Sequence, residues 1–139
     1  MLVRFGFPGR VFWTTPGGGI ESGEDDRSAL VRELDEELGL VVPADAVGPL
    51  VWTRTHVVPI GSWDGQTERY HLQRVDAFEV RPSLGWERLR AEGVTEIRWW
   101  TQDELRAAPD VDFAPRRLPS LLRALIRNGP PAEPFDVGV

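Results

Sequence analysis

Residues 18–40 read Gly-Gly-Ile-Glu-Ser-Gly-Glu-Asp-Asp-Arg-Ser-Ala-Leu-Val-Arg-Glu-Leu-Asp-Glu-Glu-Leu-Gly-Leu. Within this run Glu33, Glu36 and Glu37 fall at i, i+3 and i+4, so a helix would crowd their carboxylates onto one side. Such like-charge pairs cost about 0.2–0.5 kcal/mol each. Asp35 adds negative charge, and Arg32 alone offsets it. A segment that tolerates this repulsion is suited to a cation. Oxygen donors with no Cys or His among them point to Mg²⁺ or Mn²⁺ rather than zinc.

Leu30, Leu34 and Leu38 recur at i, i+4 and i+8 and predict the stripe that docks this helix on a core. The glutamates lie off that stripe, at the edge of the buried face. Asp25 and Asp26 fall near the first turn, where the helix dipole favours negative charge. Gly39 is placed to end the helix in the left-handed conformation. Upstream, Pro16-Gly17-Gly18-Gly19 reads as a loop whose backbone can approach a ligand closely.

The full pattern Gly18-x5-Glu24-x7-Arg32-Glu33-Leu34-x-Glu36-Glu37-x-Gly39-Leu40 resembles the Nudix box at every fixed position. The flanks are similar to that family more weakly, from about residue 2 to residue 127. The resemblance implies an α/β fold, an α/β/α sandwich around a mixed β-sheet. It also implies Mg²⁺- or Mn²⁺-dependent hydrolysis of a nucleoside diphosphate linked to another group. Carried onto this chain, Glu36 and Glu37 are metal ligands, and Glu33 is a ligand or the base that takes the water proton. The carbonyl of Gly17 or Gly18 is a further candidate ligand. Arg32 is expected to pair with Glu24 and brace the loop against the helix. A fourth carboxylate often comes from a distant loop in this family; Glu92 and Glu96 are the candidates here, ahead of Glu68 and Glu79. The alternative within the resemblance is a module that senses a nucleotide without turning it over, against which the intact glutamates argue.

Composition sets the outer limits. A chain of 139 residues with 41% hydrophobic and 27% charged residues suits one soluble domain, here 1–139, with residues 130–139 as an irregular tail. A net charge of −6 argues against a general nucleic-acid binder. No cysteine is present, which excludes disulfides and thiol chemistry and is compatible with a reducing compartment. The same absence argues against the isomerase branch of the resembled superfamily. No apolar run is long enough to span a membrane and no leader pattern is visible, so the expected location is cytoplasmic.

Outside the box, Leu2–Phe7 and Val11–Trp13 read as strands, and Leu50–Val58 with Thr67–Val80 as a hairpin around Gly61-Ser62-Trp63-Asp64-Gly65. Residues 81–93 read as an irregular loop and Ile97–Trp100 as a last strand. Thr101-x-x-Glu104 is a capping-box signature, and Pro119 suits the first turn of a helix running to about Asn128, with Gly129 as its stop. The chain begins only a short way before Gly18, where the family usually has another strand. A sheet lacking that edge would favour a homodimer.

Substrate residues are less legible. Arg4, Arg10, Arg54 and Arg69 are candidates for phosphate, whose oxygens match the guanidinium fork. Trp13, Trp52, Trp63, Trp86 and Tyr70 are candidates for stacking a base. His56 and His71 read as hydrogen-bonded structural residues. The downstream subfamily marks do not fit: position 56 is His, and Pro59 lies slightly too far along.

Overall fold

The computed structural model of the chain describes residues 1–57 and 65–138. Strands β1 (Leu2–Phe7) and β2 (Arg10–Thr14) form a hairpin whose tight turn uses Gly9 at φ 78°. Helix α1 (Asp26–Leu38) follows, then β3 (Leu50–His56) and β4 (Gln66–His71). Helix α2 (Trp86–Ala91), β5 (Val94–Arg98) and α3 (Gln102–Arg106) come next. The chain finishes with β6 (Phe113–Ala114), α4 (Leu118–Asn128) and β7 (Phe135–Asp136).

The strands form two sheets. One is mixed, with order β5-β1-β2-β6, antiparallel except where β6 runs parallel to β2. The other has order β4-β3-β7, with β7 parallel to β3. Leu2 and Val3 are consecutive on β1 and point to opposite faces. Leu2 joins Trp13, Val51, Trp52 and the α4 leucines Leu118, Leu121 and Leu125. Val3 joins Leu89 of α2 and Val94, with Ile97 packed alongside. Ile97 also packs against Leu34 and Leu38 of α1. Helices α1 and α2 therefore cover one face of the mixed sheet, and α4 with α3 covers the other. The architecture is an α/β/α sandwich around a mixed sheet, as the resemblance implied.

Helix α1 begins where Asp25 accepts a hydrogen bond from the Ser28 amide, 2.7 Å away. It ends at Gly39, φ 68°, whose N–H reaches the Asp35 carbonyl. A side chain at Gly39 would also collide with the Arg81 carbonyl. The Thr101–Glu104 capping box forms at the start of α3, and Pro119 lies in the first turn of α4.

Four segments differ from the sequence reading. The long strand expected over Thr67–Val80 stops at His71. Beyond it, Phe78 and Val80 pack on α1, and the Arg81 N–H bonds to the Leu38 carbonyl, so this segment closes the helix rather than lengthening the sheet. The irregular loop expected over 81–93 contains α2, held by Leu89, which is 1% exposed. The strand expected at Ile97–Trp100 is shifted to Val94–Arg98. The expected tail contains β7, and Val137 is buried in the main core. The readings of Val58, Pro59 and the turn Gly61–Asp64, with Trp63, lie outside the described residues.

Candidate active site

The chain leaves β2 at Thr14, whose hydroxyl donates to the Ala114 carbonyl at 2.8 Å. The Gly-rich loop that follows lies directly against α1. Gly17 has φ 137°, a conformation that favours glycine, and its N–H donates to Glu37 Oε2 at 2.8 Å. At Gly18 an added Cβ would overlap the Glu33 carboxylate. Two neighbouring glycines thus let the loop backbone close over two helix glutamates.

One arginine laces this loop to the helix. Arg32 grips Glu24 with two nitrogens, Nε to Oε1 at 2.9 Å and Nη2 to Oε2 at 3.0 Å. Its Nη2 also donates to the Gly19 carbonyl at 2.8 Å. Its Nη1 donates to Glu33 Oε1 at 2.8 Å and to Glu36 Oε2 at 3.2 Å. Glu24 in turn accepts from the Glu21 amide at 2.9 Å. The Arg32 hydrogen bonds, with that amide, hold the Glu24 carboxyl below its usual range. Bidentate, charge-assisted contacts of this kind fix geometry as well as charge.

The acids behave differently from one another. Glu37 is buried, 5% exposed, although a helix-edge position was expected of it. Burial pushes its pKa from 4.5 to about 7, against the Gly17 hydrogen bond, and the charges of Glu33, Glu92 and Glu36 push it the same way. Glu33 is also raised, first by burial; Arg32 opposes this, while Glu36 and Glu92 add to it. Glu92, which follows α2, therefore brings its charge to the box acids from a distant part of the chain. Glu96 sits on β5 opposite Arg4, with Arg98 3.6 Å from its carboxylate. Among the described residues, no three acidic or histidine side chains stand together as a formed ligand group.

The candidate phosphate arginines are dispersed. Arg4 donates to the Thr95 hydroxyl at 3.0 Å. Arg69 is exposed on β4, opposite Thr53. Arg54 is 8% exposed and points its Nη1 at Glu68 Oε2, 3.2 Å away across the hairpin. The same carboxylate accepts from the Tyr70 hydroxyl, and His56 Nδ1 lies 3.5 Å from Arg54 Nη2. This buried cluster was not anticipated. Its signal is the pairing of Arg54 with Glu68 in register, which needs the hairpin alignment to be visible. Of the candidate stacking residues, Trp13 and Trp52 are buried in the main core and Trp86 packs beside Leu89.

His71 ties α1 to β4. Its Nδ1 lies 3.0 Å from the Gly48 carbonyl and its Nε2 3.1 Å from Asp26 Oδ2.

An α/β/α sandwich with a Gly-rich loop bound over an acid-bearing helix defines a Nudix-type protein. The NUDIX domain family matches residues 1–121, and the chain belongs to that family. Nudix hydrolase 25 of Arabidopsis thaliana is 32% identical over 121 residues, covering 79% of this chain and 67% of that protein. Nucleoside triphosphatase NudI of an Enterobacter species is 39% identical over 102 residues, covering 71% of this chain and 67% of the relative. Other relatives are matched over less of their length, 46% in a Rhodococcus erythropolis Nudix hydrolase. The solution structure of the E. coli ORF135 protein superposes with a TM-score of 0.58 at 25% identity, covering 95% of this chain and 84% of that one. No helix among the described residues is long and apolar enough to cross a membrane.

Proposed function

We propose that this chain hydrolyses the pyrophosphate bond of a nucleoside diphosphate linked to another group, in the cytoplasm, using Mg²⁺ or Mn²⁺. The observation that carries this is Glu37: a carboxylate buried beside the Gly17 amide, 2.8 Å away, on the helix that also bears Glu33 and Glu36. Carboxylate oxygens on α1 beside the backbone of the Gly-rich loop fit a small divalent ion by donor chemistry. Glu36 and Glu37, with Glu33 and Glu92, would hold it, and the loop carbonyl of Gly17 or Gly18 would add a neutral donor. When bound, the ion would neutralise phosphate charge and lower the pKa of water.

The chain's own residues supply the frame. Arg32 holds Glu24, Glu33 and Glu36 in one lattice, so the loop cannot drift from the helix. Glu33 or Glu92 would take the proton from the attacking water; Glu33 lies on α1 and Glu92 directly follows α2. Glu92 is favoured over Glu96 as the loop acid because its charge acts on both Glu33 and Glu37. The test is phosphate release with Mg²⁺ over nucleoside triphosphates, dinucleotides, ADP-ribose and nucleotide sugars. Turnover of at least one, reduced a hundredfold or more in both Glu37→Gln and Glu92→Gln, is expected, on the scale of general-base and metal-ligand losses. Tight binding without turnover would make the chain a sensor. Turnover indifferent to Glu37→Gln would overturn the assigned chemistry.

A further inference from the structure

Arg10, Phe12, Asp112, Phe113 and Arg116 line a cavity of about 200 Å³ at the β2–β6 edge of the mixed sheet. We propose that this cavity is a second site, which binds a phosphate group between Arg10 and Arg116 and is lined by none of the box glutamates.

The first argument is charge. The chain as a whole carries −6, yet this cavity gathers two arginines against one aspartate. Among the described residues, neither arginine forms an ion pair, so both charges remain available to an anion. Two unpaired guanidinium groups facing one cavity attract an anion.

The second argument is preorganisation. The Arg10 guanidinium carbon sits 4.8 Å from the Phe12 ring centroid. That ring is itself braced in a near-parallel row, 5.7 Å from Phe5 and 6.4 Å from Phe7. Stacking occupies the face of the guanidinium and leaves its N–H edge to donate in plane, the geometry that matches phosphate oxygens. The opposite wall is fixed by backbone: the Trp13 N–H donates to the Asp112 carbonyl at 2.9 Å, and Trp13 and Thr14 pair with Phe113 and Ala114. Arg10 opens β2 and Arg116 lies in the turn just after β6, so stacking fixes the Arg10 side of the cavity and the exposed Arg116 side chain closes on the ligand from the other side.

The third argument is Asp112. A carboxylate in an anion site repels a bare phosphate but accepts from a neighbouring hydroxyl. The lining therefore suits a phosphate attached to a sugar better than free phosphate.

The test is a nitrogen-15 NMR titration of the whole chain in EDTA, with inorganic phosphate in one arm and AMP in the other. The Arg10 and Arg116 Nε–H signals and the Phe12 and Phe113 amides should shift saturably, more tightly with AMP. Arg116→Gln and Arg10→Gln should each weaken binding about tenfold or more, the scale of one lost charge-assisted contact. Equal affinity for both ligands would retain the site and make free phosphate its occupant. Absence of a saturable shift in both arms, or unchanged affinity in both folded variants, would overturn the proposal. Neither divalent ion nor turnover enters the readout, so the result stands apart from the hydrolase reading.

Discussion

Glu37→Gln should stabilise the metal-free protein at pH 8 and not at pH 5. The Glu37 carboxyl moves from 4.5 to about 7 on folding, mainly through burial. A carboxyl raised in this way binds its proton more tightly in the native state than in the unfolded chain. Its contribution to stability is therefore full below about pH 4.5, falls as pH rises to about 7, and stays low above that. Moving from 4.5 to about 7 amounts to about 3 kcal/mol. Between pH 5 and pH 8 the wild type should lose about 2–3 kcal/mol more than the variant. The amide keeps an acceptor for the Gly17 N–H but adds buried donors, which offset the gain by about 1 kcal/mol at every pH. Urea unfolding in EDTA at the two pH values isolates the pH-dependent part. A stability difference between variant and wild type that is the same at pH 5 and pH 8 would refute the reasoning. Saturating Mg²⁺ at pH 8 should reverse the order, since an ion bound only by the native wild type adds stability by mass action.

Further outcomes follow from the same geometry. Arg32→Met should lower the denaturation midpoint, because Glu24, Glu33, Glu36 and the Gly19 carbonyl all lose their shared donor; an unchanged midpoint would contradict the network described. Gly18→Ala should cut turnover and lower the melting temperature, since its Cβ would displace the Glu33 carboxylate; unchanged values in both assays would contradict the packing described. Truncation after Gly129 should destabilise the chain by about 2 kcal/mol or more, because it removes β7 and the buried Val137; a tail without structure would leave stability unchanged.

What the sequence makes legible is what is encoded locally. Helix α1 is read from its leucine spacing, and the Asp25 and Gly39 ends lie within a turn of the residues they cap. The Thr101–Glu104 box is equally local. The overlong strand arose because Tyr70, Leu72, Phe78 and Val80 share one strand phase, while Phe78 and Val80 actually pack on α1, a tertiary fact invisible to periodicity. β7 escaped notice because two residues paired with Trp52 and Thr53 carry almost no pattern of their own. The site divides in the same way. Gly17, Glu24, Arg32 and the helix acids are close in sequence and were placed together. The choice between Glu92 and Glu96 depends on how the α2–β5 junction meets α1. The role of Arg54 depends on Glu68 across the hairpin, which turns a candidate phosphate ligand into a buried ion pair.

The most direct measurement is Mn²⁺ binding followed by electron paramagnetic resonance, which counts free ion as protein is added. The account predicts stoichiometric uptake at pH 8 by the wild type and its loss in a Glu36→Gln, Glu37→Gln double variant that still folds. Uptake that is absent in the wild type with and without nucleotide, or that persists unchanged in the double variant, would contradict it.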